Sequence, residues 1–101
     1  MPVKGFFSIE WTKPSLNNVL LIQQYLIEKF SEQEVVQLYN LLEGFENAVV
    51  NFPKLYPEFS IRKKLRRAVL NKNLSVYYSV KNNKVIVISV LDNRMDYSKL
   101  L

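Results

Sequence analysis

Apolar residues recur every three to four positions through the first half of this chain and near every second position through the latter part. Pro53 stands between the two regimes. Ahead of the helical pattern, FFSIEW (Phe6 to Trp11) is short, aromatic and roughly alternating, which predicts a strand. Thr12 followed by Pro14 is a helix start: a capping side chain, then a ring whose fixed φ suits the first turn. Leu16, Val19, Leu20, Ile22, Tyr25, Leu26 and Phe30 then mark one helical face. Ser31, with Glu34 three residues on, reads as a capping box opening a second helix. Val35, Leu38, Leu41, Leu42, Phe45 and Val49 carry its apolar face. Gly44 weakens that run and Pro53 ends it.

Beyond Pro53 the period changes. PKLYPEFS has two prolines and no periodicity, so it reads as a loop. Leu65 to Leu70 reads as a strand, and Asn71 to Asn73 as a turn. LSVYYSVK alternates, with Leu74, Val76, Tyr78 and Val80 on one face and Ser75, Tyr77 and Ser79 on the other. Asn82 and Asn83 both tolerate positive φ and predict a tight hairpin. KVIVISVL, dense in β-branched residues, is the next strand, and Asp96 caps an expected short terminal helix. The order β-α-α-β-β-β predicts an α+β domain over residues 1–101: an antiparallel sheet with a two-helix hairpin on one face. Its expected core includes Leu20, Leu38, Leu42, Val76, Tyr78 and Ile88.

Composition narrows the chemistry. The chain has no cysteine, which excludes disulfides and thiolate metal sites, and no histidine, the usual zinc ligand and neutral-pH general base. No metal or cofactor is expected. No apolar run reaches membrane length, so the default expectation is a soluble, cytoplasmic chain without a membrane partner. The formal net charge of +5 is uneven: residues 1–52 carry three Lys and six Glu, whereas residues 53–73 carry seven basic residues and one Glu. Within the latter, IRKKLRRAVLNKN (Ile61 to Asn73) holds Arg62, Lys63, Lys64, Arg66, Arg67 and Lys72 and no acid. A basic block this focused points to an anionic partner, with nucleic acid first; the plainer alternative is a solvated face.

Four segments carry a likeness: WTKPSLNNVLLIQQYL (Trp11 to Leu26), PKLYPE (Pro53 to Glu58), LRRAVLNKNLSVYY (Leu65 to Tyr78) and VLDNRMDYSKL (Val90 to Leu100). With this element order, the chain resembles the RelE/ParE superfamily of bacterial toxins from type II toxin–antitoxin pairs. The resemblance implies a growth-inhibiting toxin and a cognate antitoxin partner in a hetero-oligomer: a ribosome-dependent messenger RNA endoribonuclease first, with a gyrase-inhibiting toxin, or a degenerate copy that only binds its antitoxin, as the alternatives. One branch of that superfamily cleaves messenger RNA on the ribosome; the other blocks DNA gyrase and cuts nothing. In the cleaving branch a ribose 2′-hydroxyl attacks the adjacent phosphate, and guanidinium groups stabilise the charge that gathers on the phosphoryl oxygens.

Carried onto this sequence, the resemblance implies a catalytic set of Arg66, Arg67, Arg94 and Tyr97, and RNA contacts from Arg62, Lys63, Lys64, Lys72 and Tyr77. Arg66 or Arg67 matches the basic second-strand position and Arg94 the strand-end arginine. The pattern departs where Ser75 stands at a position the cleaving enzymes give to arginine, and Ala68 falls on a second basic position in one register. The residues also have plainer roles. Arg66 and Arg67 are strand neighbours and point to opposite faces, so one can serve a site while the other pairs with a helix carboxylate such as Glu43 or Glu46. Asp92 can pair with Arg94 in a strand-end turn, and Trp11 can pack at the strand–helix junction.

Overall fold

A computed structural model describes residues 7–59 and 62–95, without the side chains of Arg62 and Lys63. Seven elements follow in order: β1 (Ser8–Trp11), α1 (Lys13–Lys29), α2 (Glu32–Asn51), β2 (Glu58–Phe59), β3 (Arg62–Val69), β4 (Leu74–Lys81) and β5 (Lys84–Asp92). They form one five-stranded sheet in the order β1-β5-β4-β3-β2, with the helix hairpin on one face. The α+β architecture is the one expected, and two details differ. β2 is a two-residue strand inside the expected loop, and β1 lies parallel to β5 while every other pair is antiparallel. The parallel pair follows from connectivity: the hairpin carries the chain from β1 across the sheet to the far edge, and the β2–β5 meander brings it back. β3 also begins earlier than Leu65, so the basic run is itself strand.

Thr12 anchors this arrangement. Its Oγ1 accepts from Ser15 N at 3.2 Å, capping α1, and donates to the Val87 carbonyl at 2.8 Å. The second cap is unlike the expectation. Ser31 is the N-cap residue of α2, but its side chain makes no capping bond. Its carbonyl accepts from Glu34 N, and the Glu34 side chain is turned to Arg94 instead. Asn82 and Asn83 adopt φ of 50° and 62°, as a two-residue hairpin turn requires. Asn71 Oδ1 accepts from both Asn73 N and Leu74 N, which builds the turn between β3 and β4.

The core lies between the hairpin and the sheet. Leu38, Leu42, Val76 and Tyr78 are buried as expected, with Phe45, Ile22, Leu26, Val49 and Val90. Leu20 and Ile88 are not: they stand 59% and 39% exposed. In α1 the buried stripe is Ser15, Val19, Ile22 and Leu26, and Leu20 sits one position off it. In β5 a bulge opposite Tyr77/Tyr78 leaves Ile88 between Val87 and Ser89. Val85 and Val87 therefore face the core before the bulge, and Val90 and Asp92 after it. No helix among the described residues is long and apolar enough to cross a membrane.

Candidate functional site

Three basic clusters form, and they lie apart. At the end of β5, Arg94 is fastened on the helix side of the sheet. Its Nε and Nη2 donate to the two oxygens of Asp92 at 3.0 and 2.8 Å, and its Nη1 donates to Glu34 Oε1 of α2 at 2.8 Å. The guanidinium carbon lies 4.7 Å from the centre of the Phe30 ring. The backbone joins in: Arg94 N donates to Asp92 Oδ1, and the Arg94 carbonyl accepts from the Tyr25 hydroxyl. Asp92 is almost wholly buried, so this pairing compensates a carboxylate taken out of water. The hydrogen bonds to Asp92, foremost, and those to Glu34 hold the Arg94 proton more firmly than usual. The plainer expectation for Asp92 and Arg94 is the pairing observed. Lys72 is exposed in the turn nearby, beside a hollow of about 390 Å³ that Phe30, Gln37 and Asn73 also line.

The second cluster sits at the opposite end of β4. Arg66 pairs with Tyr78 across the β3–β4 ladder and so shares its helix-side face. Its Nη1 donates to the Tyr56 carbonyl at 2.8 Å, and its Nη2 lies 3.8 Å from Glu58. The expected partner was a helix carboxylate, and this is corrected: Glu46 accepts instead from Trp11 Nε1 at 2.6 Å, and the β2 carboxylate takes the arginine. Lys64, of the same parity as Arg66, is exposed beside it. Next to Arg66, the Tyr78 hydroxyl donates to the Pro53 carbonyl at 2.7 Å, and burial pushes its phenol above the ordinary value.

Arg67 occupies the other face. It pairs with Tyr77, and its guanidinium lies 5.9 Å from that ring. Phe59 meets Tyr77 edge-on at 5.6 Å. Among the described residues, Arg67 Nε is buried without a hydrogen-bond partner. Ser75 shares this face and is buried.

Arg66 and Arg67 lie on opposite faces, as their strand parity requires, and neither joins Arg94: Arg94 and Arg66 stand at opposite ends of the helix side, and Arg67 on the open face. Tyr97 and the side chains of Arg62 and Lys63 lie outside the described residues. Among the described residues no group of three or more acids could hold a metal ion. Sequence reading missed Glu34 and Phe30 as Arg94's partners, because nothing in the chain's spacing brings α2 to the end of β5.

The hairpin-covered sheet with its returning meander is the fold of the RelE/ParE toxins. The chain is similar to a chromosomal ParDE TA system structure from P. aeruginosa, with a TM-score of 0.73 at 11% identity, over 86% of this chain and 96% of that one. It is also similar to YafQ from E. coli strain BL21(DE3), with a TM-score of 0.53 at 19% identity, over 87% of this chain and 94% of that one. A third similar structure comes from the E. coli DinJ-YafQ toxin–antitoxin complex, with a TM-score of 0.53 at 17% identity, over 94% of this chain and 97% of that one. No family model and no curated protein sequence matches the chain.

Proposed function

We propose that this chain is the toxin of a type II toxin–antitoxin pair, and that it acts by binding its target, DNA gyrase, without cutting RNA. The observation that carries the non-cleaving reading is the state of Arg94. Each of its three guanidinium nitrogens already donates to a carboxylate, and its face is covered by Phe30. A transition-state clamp must aim a pair of free donors at the phosphoryl oxygens, and three of the five N–H groups of Arg94 are already turned to carboxylates. Arg67 lies across the sheet, so the two cannot clamp one phosphate together.

The ribonuclease reading keeps one support of its own, the basic block of residues 53–73. Two assays run side by side separate the readings. The purified chain should inhibit supercoiling by gyrase and should leave messenger RNA intact by primer extension in a purified translation reaction. New RNA ends with gyrase unaffected would overturn the proposal. The antitoxin half is tested by the adjacent genes: one should encode a small protein that binds this chain and relieves its toxicity.

A further inference from the structure

We propose that the hollow between α1, α2 and the end of β1 is a binding site for a small organic cation, an ammonium or guanidinium head on a short alkyl stem. Its volume is about 190 Å³. Trp11, the last residue of β1, lines it together with Leu16 and Val19 from the first two turns of α1. Tyr39, Leu42 and Glu46, spaced to share one face of α2, complete the lining. The Tyr39 hydroxyl donates to Gln23 of α1, which ties that ring across the helix pair. Glu46 is the one charged side chain among the described lining residues, and it is half-buried.

Glu46 holds a charge without a counter-ion. Trp11 Nε1 donates to Glu46 Oε2 at 2.6 Å, and no cation pairs with Glu46 among the described residues. A glutamine carbonyl would accept from the indole as well and would cost less to take out of water. The carboxylate therefore supplies something the indole does not use: a negative charge beside two aromatic rings. A cation meets both, the carboxylate by charge and the rings of Trp11 and Tyr39 by their electron-rich faces. Val19 and Leu42 are buried and Leu16 is half-exposed, so an alkyl stem finds apolar surface between the helices. Glu46 would repel an anion, and the wider field agrees, since residues 1–52 hold six Glu against three Lys. A bare metal ion needs several oxygen ligands, and here one carboxylate stands among aromatic and aliphatic walls. The volume lies below the roughly 300–1,000 Å³ of drug-sized pockets, which limits the ligand to the scale of an amino-acid side chain. The site does not depend on the activity proposed above.

The test is titration of the full chain with n-butylguanidinium at constant ionic strength, read through the fluorescence of Trp11, the chain's one tryptophan. The signal should change saturably, with half-saturation on the order of 1 mM or below. n-Butylurea has the same shape without the charge and should bind at least about tenfold more weakly. Glu46→Gln keeps an acceptor for Trp11 Nε1 and removes the charge. It should weaken n-butylguanidinium binding by roughly tenfold and leave n-butylurea binding unchanged. Tyr39→Leu should weaken n-butylguanidinium binding about three- to fivefold. Glu43→Gln removes the same charge from an exposed position of α2 outside the hollow and should leave both affinities at the parent value. The proposal fails if the parent binds n-butylurea as tightly as n-butylguanidinium, which would mark a merely apolar hollow. It fails equally if Glu46→Gln costs nothing, or no more than Glu43→Gln, which would mark general attraction to an acidic surface. Absence of a saturable change by about 20 mM would also overturn it. Circular dichroism of each variant separates loss of fold from loss of binding. The comparison of the two ligands on the parent needs no variant, so it decides the proposal even if Glu46→Gln does not fold.

Discussion

Arg94 is held by more side-chain bonds than any other arginine among the described residues. Its fork closes on Asp92, its remaining nitrogen reaches α2, and Asp92 is buried beneath it. Truncation would leave that carboxylate without its main compensation. Arg94→Ala should destabilise the fold by roughly 2–4 kcal/mol in urea denaturation. A neutral result would free Arg94 for a functional role. Tyr78 makes a second, pH-dependent statement. Burial raises its phenol above the ordinary value near 10, so the unfolded chain ionises first as pH climbs. The stability this contributes is whole below that value and is lost as pH rises through the folded-state value. Tyr78→Phe should lower stability by about 1 kcal/mol at neutral pH, through the lost bond to the Pro53 carbonyl. The variant should also lose less stability than the parent between about pH 9 and about pH 11. Parallel pH–stability curves for the two would refute the assignment.

Among the elements, the helices were legible and their facing was not. Three- and four-residue spacing marked both helices, but α1 carries enough apolar residues for two adjacent stripes, and only packing on β5 chooses between them. Asn18 fixes that choice by accepting from Val90 N at 3.0 Å. Leu42→Ala should cost roughly 2–4 kcal/mol, whereas Leu20→Ala on the rejected stripe should fall within about 0.5 kcal/mol of the parent. Equal losses would show that Leu20 is covered. Gly44 in α2 offers the opposite case. A methyl built there meets no atom within 4 Å, and φ is not positive. Gly44→Ala should therefore stabilise the chain by about 0.5–1 kcal/mol in the same titration.

Taken as a whole, the molecule separates its charges. The helix hairpin contributes five of the nine acids, and residues 53–73, around β3, contribute seven of the fourteen bases. If the proposed antitoxin approaches the basic side with an acidic segment, charge should govern encounter more than retention. Raising salt from about 50 to about 200 mM should then slow association in stopped-flow mixing while changing dissociation much less. A salt effect confined to dissociation would place the partner on the exposed apolar helix surface around Leu16, Leu20 and Val36 instead.

The chain's periodicities were enough to read two helices, three long strands, the Asn82–Asn83 turn and an α+β fold, because each depends on neighbours a few residues apart. They also carried the strand parity that puts Arg66 and Arg67 on opposite faces. Three things were out of reach of local pattern. The Ile88 bulge hides in a run where nearly every residue is apolar, so no alternation exposes the change of face. The direction of β1 depends on a hairpin that must cross the whole sheet before β5 returns beside it. Arg94's partners are separated by 60 residues in one case and two in the other. Spacing could suggest only Asp92; Glu34 and Phe30 arrive through the packing of the helix hairpin against the sheet's end, and that packing fastens Arg94 between elements far apart in the chain.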